Sequence, residues 1–288
     1  MWRYNVNTVA FLNFSFERML ELISQNGFKY LELGESHIDI FKMKGGEIRK
    51  LSELLDKNGL EVIAFFAEYG LDTVGLTKYS FGHSAPDEKE RQRAVKAMRE
   101  AIPKVADLGC NVIVSEFNGD PSNRERSKRS FLRSMEELIP LLEERNVTMV
   151  IEPHPGDFIE DAFQAIDILR SLDSVRIKYN YCIPHTFVLG HSPREIIMKS
   201  KGLLQYCHVA DSIDPGRIWF CATYTPKVKP HLHLIPGLGD VDFREVLSSL
   251  RDTDFDGYLS LDAFSHMKTP VQAMVESRNQ IEKFSIIT

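Results

Sequence analysis

The chain has 288 residues, 43% of them hydrophobic and 26% charged, with a formal net charge of −6. That length fits one β/α barrel, usually about 250 residues; two domains of ordinary size are the alternative. The mild acidity argues against broad nucleic-acid binding, which needs a basic stripe, and no apolar run reaches the ~18 residues of a membrane span. The N-terminal MWRYNVNTVAF lacks the basic and apolar regions of a signal peptide. Cys110, Cys182, Cys207 and Cys221 form no CxxC pair. Reduced thiols and a cytoplasmic location are therefore expected.

Strand and helix patterns alternate along the chain. Asn5 to Phe11 reads as a first strand, followed by a helix over Phe16 to Gln25 whose Met19, Leu20, Leu22 and Ile23 keep helical spacing. Asn26-Gly27 stops that helix. Tyr30 to Leu33 is a second strand, and Gly45 to Asn58 a helix. Glu61 to Ala67 is a third strand, and a long helix opens at Ala85-Pro86-Asp87 and runs to Leu108. Asn111 to Glu116, Thr148 to Ile151, Val175 to Tyr181, Leu203 to Val209 and Tyr258 to Leu261 supply five more strands. Between and after them lie helices over Asn123 to Arg145, Asp161 to Leu172, from Ser192-Pro193, Phe243 to Arg251 and Pro270 to Phe284. Eight such units predict a single (β/α)8 barrel, with a doubly wound open sheet as the rival. No GxGxxG follows the first strand, which disfavours a dinucleotide fold. Two long loops, Glu68 to Asp87 and Asp211 to Gly239, read as lids or binding loops.

Side chains at the C-terminal ends of barrel strands share one mouth, where this fold keeps its active site. Glu152 closes the apolar run Met149-Val150-Ile151. A carboxylate there needs a partner, either a cation or a basic side chain. His208 closes strand seven as a candidate metal ligand, and Asp211 could orient it or bind substrate. Cys182 and His185 end strand six across an extended, Pro-containing turn. A thiolate or imidazole there suits zinc, and His185 could instead bind a hydroxyl or stabilise negative charge on oxygen. Asp262 closes strand eight. Together with Glu152 it would put two carboxylates beside one carbon, an arrangement suited to proton transfer with a metal polarising the neighbouring carbonyl. His154, in Pro-His-Pro-Gly, sits at the rim, as a substrate contact or as an exposed side chain. His231 and His233 alternate on an extended segment and so point one way, either into the site, with Lys229 meeting an anionic group, or to solvent. Gly237 to Asp240 reads as a tight turn, with Asp240 near the next helix's N-cap.

Taken in order, these segments resemble the xylose-isomerase-like barrel superfamily of sugar isomerases, epimerases and related endonucleases. The stretch Gly237 to Phe243 matches its GxGDxDF pattern. EPHPGDF, YxYCxPHTF and HVADS together look like the myo-inositol-catabolism proteins of the IolH type. The resemblance implies a metal held after strands five to eight by Glu, Asp, His and Glu. Here Glu152 and His208 match, Cys182 (or Asn180, two residues earlier) stands for the Asp, and Asp262 is a shortened Glu. Cysteine favours a softer ion, so manganese, cobalt or zinc is expected rather than magnesium, unless the metal site is weakened or lost. The implied activity is metal-dependent isomerisation or epimerisation of a keto-sugar or keto-inositol through an enediolate. A lyase that expels a β-hydroxyl from the same intermediate and a sugar-binding barrel without catalysis are the rivals. Homo-oligomers are common among such barrels, and no apolar stripe marks an interface.

Overall fold

The computed structural model describes residues 2–34, 37–70, 80–217 and 231–286. In chain order it runs through β1 (Arg3–Asn7), α1 (Phe16–Gln25), β2 (Tyr30–Gly34), α2 (Gly45–Lys57), β3 (Glu61–Phe66), α3 (Glu88–Asp107), β4 (Val112–Glu116) and α4 (Arg124–Glu144). It continues with β5 (Thr148–Glu152), α5 (Ala162–Ser171), β6 (Ile177–Cys182), α6 (Ile183–Val188), α7 (Pro193–Lys199), β7 (Leu204–Val209), α8 (Phe243–Asp252), β8 (Tyr258–Leu261) and α9 (Pro270–Ile286).

All eight strands pair in sequence order and the barrel closes, with β1 lying parallel to β8 from Arg3↔Tyr258 to Val6↔Leu261. The single (β/α)8 barrel expected from the alternating pattern is the fold.

Local chemistry starts and stops the elements. Ser15, Asp87, Asp161, Ser192 and Asp242 each accept a backbone N–H at the first turn of a helix. Each replaces a hydrogen bond the helix start cannot make for itself. The predicted first strand ends early, at Asn7. Its side chain accepts the Val9 N–H and turns Thr8–Phe11 into a 3-10 helix whose Ala10 and Phe11 stay in the core. The cap of α8 is Asp242, two residues past the Asp240 singled out in sequence.

Strand side chains alternate between two environments. Outward residues such as Ile113, Met149, Ile151, Tyr179, Cys207 and Leu259 join one large core beneath the helices. Each fully buried aliphatic or aromatic side chain there stabilises by ~1.5–3 kcal/mol. The separate inner cluster is small: Ala64, Val112, Val114, Val150 and Tyr206. Toward the C-terminal mouth the buried strand residues become polar, with Asn5, Glu32, Asn180, His208 and Ser260. Outside the barrel, Arg91 of α3 is fully buried and pairs with Glu88 at 2.8 Å and Glu137 at 2.7 Å, while Ser134 Oγ accepts from its Nη1 at 2.9 Å. No helix among the described residues is long and apolar enough to cross a membrane.

Candidate active site

Register explains which side chains meet. Cys182 of β6 lies beside His208 of β7, and Glu116 of β4 beside Glu152 of β5, so the last residues of neighbouring strands come level at the mouth. Glu152, Cys182 and His208 place ligand atoms within 4.8 Å of one another, all buried. A carboxylate, a thiol and an imidazole are a donor set that zinc and similar ions accept, with a fourth position left for water or substrate.

His208 stands between two carboxylates. Its Nδ1 is 2.9 Å from Glu152 Oε2, and its Nε2 is 3.1 Å from Glu32 Oε2. Burial favours the neutral ring, but the charges of Glu32 and Glu152 outweigh it and hold the imidazole well above its ordinary pKa. Burial also presses on Glu32, yet the charge and hydrogen bond of His208, with the Ser260 and Tyr206 hydroxyls, keep its carboxyl below the usual value. Glu152 is pushed up, because burial exceeds what His208 returns. Asn180 donates to Glu152 Oε2 at 2.7 Å. The Cys182 thiol is pushed well up by burial and then by the nearby Glu152 charge.

Glu32 carries no sequence flag among the expected site residues, although it organises this end of the barrel. Its oxygens accept from Tyr206 at 2.8 Å, Ser260 at 2.7 Å and Asn7 at 3.3 Å. The available signal is the charge within Tyr30-Leu-Glu-Leu-Gly: an inward carboxylate on a buried strand costs several kcal/mol unless it is paired. Asn180, the alternative to Cys182 in sequence, shares its inward parity and donates to Glu152.

Asp262 falls just past β8 and stays outside the cluster of Glu152, Cys182 and His208. Its Oδ2 is 2.9 Å from His233 Nδ1. The His233 ring stacks on Phe264 at 3.9 Å, and its backbone N–H is held by Ser265 Oγ. A carboxylate can only accept at neutral pH, so Nδ1 carries the proton and Nε2 the lone pair. That Nε2 is buried without a hydrogen-bond partner, as is Asp262 Oδ1.

His185 does not extend strand six. The strand stops at Cys182, and Pro184 opens the short helix α6 on which His185 sits. Its Nδ1 is buried without a hydrogen-bond partner, 3.9 Å from Glu152 Oε1. Burial, then the adjoining His154, His231 and His233, pull its pKa well below the ordinary value. Ring centroids separate His185 from His154 by 4.4 Å, from His231 by 4.6 Å and from His233 by 5.4 Å. The expectation that His231 and His233 face one direction agrees with this convergence.

Asp211 takes a structural position. Its carboxylate accepts the backbone N–H groups of Gly237, Gly239, Val241 and Ser212 at 2.8–3.1 Å, which ties the GxGDxDF turn to the end of β7. Gly239 is required at that approach, because a Cβ there would meet Ser212 O at 2.3 Å. Lys229, with Trp219 and Cys221, lies outside the described residues.

A closed parallel barrel with carboxylate, thiol and imidazole groups gathered at the C-terminal mouth has the layout of a barrel enzyme. The family model described as "Xylose isomerase-like TIM barrel" matches residues 20–284, and the chain belongs to that family. An inosose dehydratase from Clostridium tetani is 19% identical over 283 residues, covering 95% of this chain and 91% of its own. One from Geobacillus kaustophilus is 20% identical over 236 residues, covering 74% of each chain. Among solved structures, a D-tagatose 3-epimerase-like protein superposes with a TM-score of 0.77 at 19% identity, covering 99% of this chain and 97% of its own. The IOLI protein with a bound zinc atom superposes with a TM-score of 0.73 at 17% identity, covering 99% and 97%. At these identities the structural likeness speaks for the fold.

Proposed function

We propose that the protein is a metal-dependent enzyme that moves a proton beside the carbonyl of a keto-sugar or keto-inositol, isomerising or epimerising it through an enediolate. One observation carries this reading. His208 stands between Glu32 and Glu152, with its Nδ1 2.9 Å from Glu152 Oε2 and beside the Cys182 thiol, so a carboxylate, a thiol and an imidazole converge on one buried point at the barrel mouth. Glu152, Cys182 and His208 would hold a divalent cation there, with Glu32 fixing His208 at Nε2. Cobalt or zinc suits the donors, and manganese less well. When bound, the metal supplies Lewis-acid polarisation of the carbonyl and neighbouring hydroxyl oxygens.

The remaining residues bind the substrate and move its proton. His233 Nε2, oriented by Asp262 at Nδ1, takes the proton from the carbon next to the carbonyl. His185 and His154 hold substrate hydroxyls at the rim, with His231 beside them.

Dehydration is the second reading. The two flanking carboxylates of a symmetric proton shuttle are not met here, because Asp262 is engaged with His233. A single His–Asp base opposite a protonatable group also suits removal of a β-hydroxyl, and relatives named inosose dehydratase match nearly the whole chain. Product mass separates the readings, since dehydration lowers it by one water.

The test is turnover of inososes and ketoses by metal-loaded protein beside Glu152→Ala. The variant is expected to lose one metal equivalent and all turnover. Turnover retained by metal-stripped Glu152→Ala would reject the mechanism.

A further inference from the structure

We infer that the outer face of the barrel, between α3 and α4, carries an anion site built by Arg126, Arg129 and Arg133, for a phosphate dianion, free or as the monoester of a small organic molecule. The three arginines, with Ser130, Pro86 and Glu88, line a cavity of about 290 Å³. Positions 126, 129, 130 and 133 fall three and four residues apart, so α4 presents all four side chains on one face, toward the start of α3.

This placement runs against local electrostatics. Arg124, Arg126, Lys128 and Arg129 fill the first two turns of α4, where the helix end carries a partial positive charge and disfavours cations. Arg126 with Arg129, and Arg129 with Arg133, are also like-charge neighbours, which destabilise a helix. Two of the cations find a carboxylate: Arg124 pairs with Glu160 at 3.4 Å and Arg133 with Glu88 at 3.2 Å. Arg126 and Arg129 form no salt bridge among the described residues, although Glu125 precedes Arg129 by four positions. Glu88 is itself shared with the buried Arg91, which also takes Glu137. Arg91, Arg126, Arg129 and Arg133 thus face two carboxylates, and two positive charges are left over at one cavity in a chain whose net charge is −6.

Those two charges set the class of ligand. A phosphate monoester carries about −1.5 to −2 near neutral pH, and a guanidinium can give its oxygens two parallel hydrogen bonds. The Ser130 hydroxyl adds a donor, and Pro86 gives an apolar wall for the organic part of an ester. The patch covers about two turns of one helix and is followed at once by Glu136 and Glu137. It is too short for the basic track that a nucleic acid needs. Helices α3 and α4 contribute no residue to the cluster of Glu152, Cys182 and His208, so the inference is independent of the metal and the reaction proposed above.

The experiment is isothermal titration calorimetry of the full chain at low ionic strength with inorganic phosphate and with glycerol 3-phosphate, against glycerol and sodium chloride as controls. The wild type is expected to bind phosphate, and Arg126→Gln/Arg129→Gln to bind it at least tenfold more weakly. Arg124→Gln, whose partner is Glu160, should bind as the wild type does. Tighter binding of glycerol 3-phosphate than of inorganic phosphate would assign the site to an ester, and equal binding would assign it to free phosphate. No heat with either at millimolar concentration overturns the inference, as does equal binding by the wild type and the double variant. A short oligonucleotide that binds while neither small phosphate does overturns it in favour of a polyanion surface. Heat denaturation guards against a folding artefact. Removing two like charges from an exposed face should leave the Tm of the double variant at or above that of the wild type, and phosphate should raise the Tm of the wild type alone. Equal rises in the two proteins would place the anion elsewhere and overturn the inference.

Discussion

Glu32 and Asp262 are two carboxylates that each act through a histidine. Glu32 fixes His208 at Nε2, which leaves Nδ1 facing Glu152 and Cys182. Removing such a partner commonly weakens metal binding 10–100-fold. Glu32→Gln should therefore lower zinc affinity by about that factor while the fold survives, because the amide retains hydrogen bonds to Tyr206 and Ser260. A competition titration with a chromophoric chelator measures it, and unchanged affinity would remove Glu32 from the site. Asp262 sets the tautomer of His233. Asp262→Asn should leave zinc content unchanged and lower kcat by ~10²–10⁴-fold, the range that a positioned general base supplies. An equal loss of zinc would show instead that Asp262 is a ligand. Sequence reading reached Asp262 because it ends an apolar strand. It passed over Glu32, which sits inside one, where only the pairing with Tyr206, Ser260 and His208 shows what the charge is for.

The elements show where periodicity stops being informative. The stretch Asn5 to Phe11 is apolar enough to read as one strand, but the Asn7 side chain terminates it with a local hydrogen bond. Helix α6 is six residues long, too short for a periodic signal, and its Pro184 favours a turn as readily as a helix start. That short helix is what carries His185 past the strand end and into the group of rings. Between α3 and α4, Arg91 presents a stability question of a different kind. Its side chain is fully buried against Glu88, Glu137 and Ser134. Arg91→Ala removes the guanidinium and opens a cavity, and should cost about 3 kcal/mol, read from the urea midpoint. The same pairing predicts acid sensitivity. The Arg91 hydrogen bond leads the effects that hold the Glu88 carboxyl at about 2, below its ordinary 4.5. A depressed carboxyl stabilises the fold above the unfolded value and loses that contribution as pH falls through the folded one. Stability should therefore decline between about pH 4.5 and about pH 2. Glu88→Gln should flatten that decline, by a small amount because the side chain is exposed to screening solvent. Equal slopes in the two proteins would place the acid sensitivity elsewhere.

At the scale of the whole barrel, the architecture was legible because eight strands, each followed by a helical pattern, have few other ways to bury their apolar faces. The candidate site was legible as far as strand ends could carry it: Glu152, Cys182 and His208 come together buried at the mouth, while Asp262, also buried, turns to His233 instead. What sequence could not supply is the pairing across the barrel, because Glu32 of β2 meets His208 of β7 only after closure brings β1 against β8. That dependence couples metal to fold. Glu152, Cys182 and His208 come from three strands and are not assembled in the unfolded chain, so a cation they bind stabilises the native state alone. Free zinc at ~100 times its Kd adds ~2.7 kcal/mol. A large single domain converts each kcal/mol to ~2 °C, so chelation should lower the Tm of zinc-loaded protein by about 5 °C. The comparison belongs at one scan rate, because unfolding of a chain this size is apt to be irreversible. Glu152→Ala, which removes one of the three donors, should show much less of that drop. If it kept the full chelator effect, the stabilising cation would bind elsewhere, and His208 would be the permanent partner of Glu152.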